Sequence, residues 1–410
     1  MTEATVTAIT PMMTTKRLVK SAVAHPLFEY RLLIVTAGVL LTLGLLMVIS
    51  SSSVIAAADE GDPYYYGKRQ LILASAGLLG AWAMSRLSEK WLRRLVLPAL
   101  GLAIVFLMLT ILTPLGVCVG GNCNWLRLGP AWTQFQPSEF AKLAIILWGA
   151  DALARRQKLL TDLRQWFVYL AMTFTMIGLV VFEHDQGTAM VMTLLVLAIL
   201  LVAGAPWRLL ISLGVLAGAA VTALIIFQPN RLDRLWAFLD PTLDPYGINL
   251  QQRRGLYALA SGGWFGKGLG SSHQKWGLLS EAHTDFIFAI IGEELGLAGS
   301  LMVIGLFTVL GIVGIRVALN AASTFSRLVA IGVVAWFSVQ ALVNIAVATR
   351  SIPVMGITLP LISYGGSSLL ATLAAMGLLV GCARRVPATA AALAERRTKP
   401  RATTIVGAGA

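Results

Sequence analysis

About ten stretches of roughly 20 mainly apolar residues recur along this chain of 410 residues, and such a run is what one helix needs to cross a bilayer. Their approximate limits are 32–54, 70–86, 95–115, 139–153, 166–182, 187–203, 207–227, 285–315, 328–349 and 366–383. In lipid each backbone polar group must find its partner inside the element, so the expectation is an all-α polytopic membrane protein of about ten spans. Charged residues make up only 12% of the chain, too few to cover a water-soluble globule, and three cysteines cannot staple one. An even number of spans puts both termini on one side.

The net charge of +13 points to topology rather than to nucleic acid. About two thirds of the 32 lysines and arginines fall in the tails and in the connections that lie on the N-terminal side, which makes both termini cytoplasmic. The Ala56-Ala57-Ala58 run resembles a signal cleavage site, but the apolar stretch before it is longer than a signal core, so the first span is expected to be retained. Three segments are expected: a largely disordered tail over 1–30, one transmembrane domain over 31–383, and a disordered tail over 384–410. The tails would meet other proteins, anionic lipid headgroups or plain water.

Unusual polar residues concentrate in the outer segments, about 115–138, 183–186, 228–284 and 350–365. The long segment 228–284 is expected to hold short amphipathic interfacial helices around Trp236 and Leu256, then a glycine-rich stretch from Gly262 to Gly270. Gly266-Lys267 lacks the glycine spacing and the Ser/Thr of a phosphate-binding P-loop. Glu281-Ala282-His283-Thr284-Asp285 opens the next span. Its Thr or Asp would serve as a helix cap, or Asp285, desolvated beside hydrocarbon, as a general base. Glu293 and Glu294 lie deeper on the same predicted helix, and Lys142 is a cation available for an interhelical pair. His184, Asp185, His283 and Asp285 could converge on a cation. With no metal-ligand spacing in any segment, a loosely held Mg²⁺ or Mn²⁺ that also binds substrate phosphate is expected, rather than built-in zinc, and no organic cofactor. Cys118 and Cys123 are either a small disulfide hairpin or two free thiols.

Five features together resemble the SEDS family, which includes FtsW, RodA and SpoVE: NWLRLGP…QPSEFAKL (124–143), EHDQGTAM (183–190), FLDPTLDPYG…EAHTDFIFAIIGEELG (238–296), NIAVATRSIPVMGITLPLISYGGSSLL (344–370) and the ten-span order. The likeness is greater to the septal, FtsW-like branch than to the elongation branch. It implies a peptidoglycan glycosyltransferase that polymerises lipid II onto an undecaprenyl-linked glycan strand, with a class B penicillin-binding protein and other divisome membrane proteins as partners. It places the essential acid at Asp285. Substrate and pyrophosphate contacts fall on Lys142, Arg231, Arg234, Trp125, Gln136, Glu139, Gln274, Lys275, His283, Ser363, Tyr364 and Ser367. The chain departs from the family pattern at Asn124, Leu279-Ser280, Arg253, Arg254 and Arg350, the last standing where glycine is usual. A lipid II flippase, an elongation polymerase and a recruiting scaffold are the alternatives. No internal repeat supports a transporter.

Overall fold

Each apolar stretch is helical, and several helices end at the punctuation that flanks them. The computed structural model describes residues 25–119, 122–130, 133–155, 163–227, 229–240 and 247–398. The ten expected spans are α1 (Phe28–Glu60), α2 (Tyr65–Arg86), α3 (Glu89–Leu112), α4 (Pro137–Arg155), α5 (Leu163–Phe182), α6 (Gln186–Ala203), α7 (Trp207–Phe227), then, after two short outer helices, α8 (Pro229–Leu239) and α9 (Ile248–Ser261), the spans α10 (Ile287–Leu319), α11 (Thr324–Ala348) and α12 (Gly366–Arg385). Asp185 caps α6, its side chain accepting from Thr188 N, and Ser323 caps α11 in the same way. Gly61 and Gly204 close α1 and α6 in the left-handed conformation.

Seven of these helices are long and apolar enough to cross a membrane by length and composition. Among the other three, α2 carries Lys68, Arg69 and Arg86, and α4 carries Glu139, Lys142, Asp151 and Arg155. Burial separates the helices where hydropathy does not, because lipid and protein core are equally apolar. α7 lies at the periphery, with its whole apolar window unburied, whereas α11 and α12 are central. Thr389 Oγ1 donates to Pro26 O at 2.9 Å, so the start of α1 and the helix that follows α12 lie on the same face.

Three features depart from expectation. The loop after α3 folds into a small antiparallel sheet, β1 (Gly116–Val119), β2 (Asn122–Arg127) and β3 (Gln134–Phe135), in the order β1-β2-β3, and Cys118 and Cys123 are disulfide-bonded across it. The tail after Arg384 is not disordered throughout: α13 (Pro387–Thr398) is helical, with proline at its first position and an alanine-rich body of high helix propensity. Residues 1–24 and 399–410, the remainder of both tails, lie outside the described residues.

The third departure is in α10. It is broken at Gly296 (φ 69°, ψ −165°), not continuous over 285–315. Arg31 to Ser50 on α1 and Arg316 to Gly296 on α10 each cover about 30 Å at 1.5 Å per residue, the hydrocarbon thickness of a bilayer. Ser50 Oγ bonds Glu294, so the two counts meet at one level. The break therefore sits at the outer edge of the hydrocarbon, and Leu297–Leu319 forms the crossing.

Candidate active site

Asp285 lies just before α10, between elements that fix its backbone and leave its carboxylate alone. Asn344 on α11 donates through Nδ2 to Asp285 O at 2.8 Å and to Ile357 O at 2.7 Å, joining the residue to the 352–362 segment. Ser363 Oγ donates to Thr284 O at 2.6 Å while accepting from Leu359 N, and Tyr364 N donates to His283 O at 2.9 Å. Gln70 on α2 donates to Ser363 O at 3.1 Å. Gly356 faces the carboxylate, and a Cβ added there would stand 3.7 Å from Oδ2. Among the described residues no side chain or peptide N–H donates to this half-buried carboxylate. Burial, then the charges of Glu281 and Asp185, push it up to about 7.

An aromatic group stands beside it. The His283 ring lies 5.4 Å from Tyr364 and 5.2 Å from Tyr66, and Tyr66 and Tyr364 are 5.1 Å apart. Burial holds the His283 imidazole below its usual value despite Glu281, and its Nδ1 has no partner. Burial likewise raises the Tyr364 phenol to about 12, against the opposing pull of the Arg69 charge.

Next to this group opens a cavity of about 1100 Å³ between α2, α3, α4 and α12. Its walls, including Ile72, Leu95, Leu102 and Phe140, run from Met84 and Leu92 near the inner ends to Gly366 and Ser367 at the outer. Ile72 and Leu102 keep 69% and 55% of their surface exposed, so this apolar wall is a groove open at the side of the bundle and not a closed void. Lys68 and Arg69 stand at its polar mouth, with Lys68 in an exposed ion pair with Asp62 at 2.7 Å. Sequence reasoning singled out neither cation, because charge was read there for topology alone. The available signal was Asp62 six residues before Lys68, an acid within reach of the first turn of the helix.

Several expected substrate contacts prove to be engaged elsewhere. Lys142 is enclosed, only 1% exposed, donating to Glu139 Oε1 at 2.7 Å and Gln340 Oε1 at 3.0 Å and lying over the Trp336 ring. It is engaged in a buried pair. Gln136 donates through Nε2 to Asp185 Oδ2 at 2.7 Å and through its backbone N to Ser367 Oγ at 2.9 Å. Asp185 also accepts from Asn124, Ser138 and Thr188 N, which makes it the hub that joins β2, α4 and α6. Trp125, paired in register with Val117, is carried on that same strand. Neighbouring Glu183 is buried beside Asp185, and both causes raise its carboxyl to about 9.

Gln274 and Lys275 gather around Glu293 and Glu294, about 12–14 Å along the helix from Asp285. Glu293 accepts from Lys267 Nζ (2.9 Å), Ser272 Oγ (2.6 Å), His273 N and Gln274 N. Glu294 accepts from Ser50 Oγ and Ser272 N, with Lys275 Nζ at 4.0 Å. The glycine-rich stretch is thereby pinned into the helix break: Leu297 N bonds Gly263 O, Ala298 N bonds Trp264 O, and a Cβ at Gly266 would strike Glu294 O. These carboxylates pair with Lys267 and Lys275, so Lys142 is not their cation.

Arg234 is half-buried on α8. The side chain of Arg231 and residues 241–246, including the proline of the Asp-Pro pair, lie outside the described residues. No group of three or more His, Cys, Asp or Glu assembles a metal cage among the described residues. Asp185 is saturated by hydrogen bonds and His283 is packed in the aromatic group, so the expected four-residue convergence is not formed. All four non-glycine residues with positive φ among those described, His184, Glu281, Arg350 and Leu361, lie in the outer loops around Asp285. Such backbone strain is concentrated at sites that need a fixed geometry.

Fold and site together define a multi-pass helical membrane protein with a largely apolar cavity ending at Lys68 and Arg69 and, near that end, a carboxylate at Asp285 with no donor among the described residues. A family model described as cell cycle protein, covering FtsW, RodA and SpoVE, matches residues 30–386, and the chain belongs to that family. It is 39% identical over 356 residues to the probable peptidoglycan glycosyltransferase FtsW of Trichlorobacter lovleyi, covering 86% of this chain and 93% of that one. It is 38% identical over 355 residues to the stage V sporulation protein E of Bacillus subtilis, covering 86% and 96%. A solved structure described as a peptidoglycan synthase complex that coordinates polymerization and crosslinking superposes with TM-score 0.70 at 31% identity, covering 86% and 96%. The crystal structure of the rod shape determining protein RodA of Thermus thermophilus gives TM-score 0.63 at 30% identity, covering 87% and 96%.

Proposed function

We propose that this protein is a peptidoglycan glycosyltransferase that polymerises lipid II into β-1,4 glycan strands at the outer face of the cytoplasmic membrane, in septal wall synthesis. One observation carries this reading: a half-buried carboxylate with no donor among the described residues, linked through His283 and Tyr66 to the helix that brings Lys68 and Arg69 to the end of an otherwise apolar cavity. The cavity suits an undecaprenyl chain, and its mouth suits the attached pyrophosphate.

In the proposed step the GlcNAc 4-hydroxyl of lipid II attacks C1 of the terminal MurNAc on the lipid-linked strand. Asp285 accepts the hydroxyl proton, the C1–O bond to pyrophosphate breaks, and the anomer inverts from α to β in a single displacement. Arg69 and Lys68, not Lys142, face the departing charge. Asn344, Ser363 and Tyr364 are positioning residues that hold the 283–285 backbone. A divalent ion, Mg²⁺ or Mn²⁺, is proposed to arrive with the pyrophosphate, and no residue is assigned to it.

The names of the relatives support this activity, and the synthase-complex relative supports a transpeptidase of the class B penicillin-binding type as partner. A broken span is a transporter feature, but here the break is filled by the peptide groups of Gly263 and Trp264. The test is synthesis of labelled glycan from purified lipid II by the purified protein, alone and with its transpeptidase, in detergent micelles that have no two sides to flip between. Polymer from the wild type supports the reading; its absence under both conditions removes it.

A further inference from the structure

The groove between α2 and α3 has a second end, on the inner side, and that end is also basic. Helical spacing places Arg86 about five turns from Lys68 on the same stripe of α2, two residues beyond the lining residue Met84. On α3, Trp91 precedes the lining residues Leu95, Pro98 and Leu102 at steps of four, three and four, so it continues that wall inward. Each wall thus ends in a stacked pair. The Arg86 guanidinium lies 5.5 Å from the Trp82 ring centre, and the Arg94 guanidinium 5.1 Å from that of Trp91. Both indoles are exposed, by 61% and 56%, as is usual for tryptophan at a bilayer surface.

Neighbouring arginines are committed to the fold, and these two are not. Arg93 bonds Glu89 at 2.9 Å and Asp151 at 3.1 Å, joining α3 to α4, and Glu89 also accepts from Ser323 Oγ. Arg384 and Arg385 at the end of α12 donate to Ser85 O and Leu87 O, which fixes the turn between α2 and α3. Arg86 and Arg94 have no carboxylate partner among the described residues. Two such guanidinium groups at the inner end of an apolar groove open to the side complement a phosphate that carries acyl chains. We infer that this end is a binding site for one anionic phospholipid of the inner leaflet, with Arg86 and Arg94 on its phosphate and its acyl chains along Met84, Leu92 and Leu95. The site is separate from Asp285 and stands whether or not a lipid-linked glycan occupies the outer half of the groove.

The test is native mass spectrometry of the full-length protein in detergent, titrated with phosphatidylglycerol, phosphatidylcholine or undecaprenyl pyrophosphate. The wild type should hold one tightly bound phosphatidylglycerol. Arg86→Gln/Arg94→Gln should bind it about thirtyfold more weakly, from about fivefold per lost cation, and Lys68→Gln/Arg69→Gln should keep it. Equal retention by Arg86→Gln/Arg94→Gln overturns the inference, as does binding of phosphatidylcholine to the wild type with the same affinity. Displacement of phosphatidylglycerol by undecaprenyl pyrophosphate in the wild type and in Lys68→Gln/Arg69→Gln alike also overturns it, since the inner end would then take the lipid-linked substrate. A phosphatidylglycerol with a photoreactive acyl chain supplies a readout that needs no variant: crosslinks on the wild type should fall within residues 84–95, and crosslinks confined to other segments overturn the assignment.

Discussion

Two groups of carboxylates lie within ten residues of each other around α10, and they are treated in opposite ways. Glu293 and Glu294 are fully buried and surrounded by donors from Ser50, Lys267, Ser272, His273 and Gln274. Asp285 has its backbone held by neighbours and its carboxylate given no donor. A buried charge saturated by hydrogen bonds holds the chain together, whereas one left unsatisfied keeps its lone pairs for a proton. The difference separates scaffold from chemistry inside one element.

The sharpest way to break that contrast is Asp285→Asn. It should reduce polymerisation from lipid II by about 10³-fold, within the usual range for loss of a general base, without loss of fold by circular dichroism or melting. Near-normal glycan from the variant would end the assignment. The pH profile should follow the same group: with Asp285 at about 7, kcat/KM should fall by about tenfold per unit of pH below that value and level off above it. The sign for stability is the reverse. The native carboxyl keeps its proton up to about 7, while the unfolded one loses it near 3.8, so stability falls as pH rises between those values. Asp285→Asn should therefore melt higher than wild type at pH 8.

Glu293→Ala tests the other half of the contrast. It leaves Lys267 without its partner and frees the glycine-rich stretch, which should cost about 3 kcal/mol and expose residues 262–275 to protease, with activity per folded molecule retained. The smallest effect is expected from the Lys142 pair. Lys142→Met alone should destabilise by about 3 kcal/mol, but Lys142→Met with Glu139→Gln should come within about 1 kcal/mol of wild type. Loss of polymerisation by that stable double variant would return Lys142 to the substrate.

Hydropathy and charge asymmetry made the spans and their common side legible, since lipid imposes length and apolarity on every crossing segment. The break at Gly296 was hidden because Ile287–Leu319 is apolar throughout, and only the docking of Gly262–Gly266 reveals why a glycine with positive φ is needed there. Asp285 was readable from its position at the boundary, but the partners of Lys142 were not, because Gln340 and Trp336 lie some 200 residues away in sequence and meet it only through packing. Arg69 escaped for the same reason: its relation to Tyr364 is tertiary. The alanine-rich helix after Pro387 was obscured by a polar composition that also suits disorder.

The sideways opening at Ile72 and Leu102 has a kinetic consequence. A reactant that arrives through that slot comes from a two-dimensional pool, so the quantity that sets occupancy is its mole fraction in the surrounding amphiphile. Diluting micelles with empty detergent at fixed bulk concentration should slow turnover, while adding buffer alone should leave it unchanged.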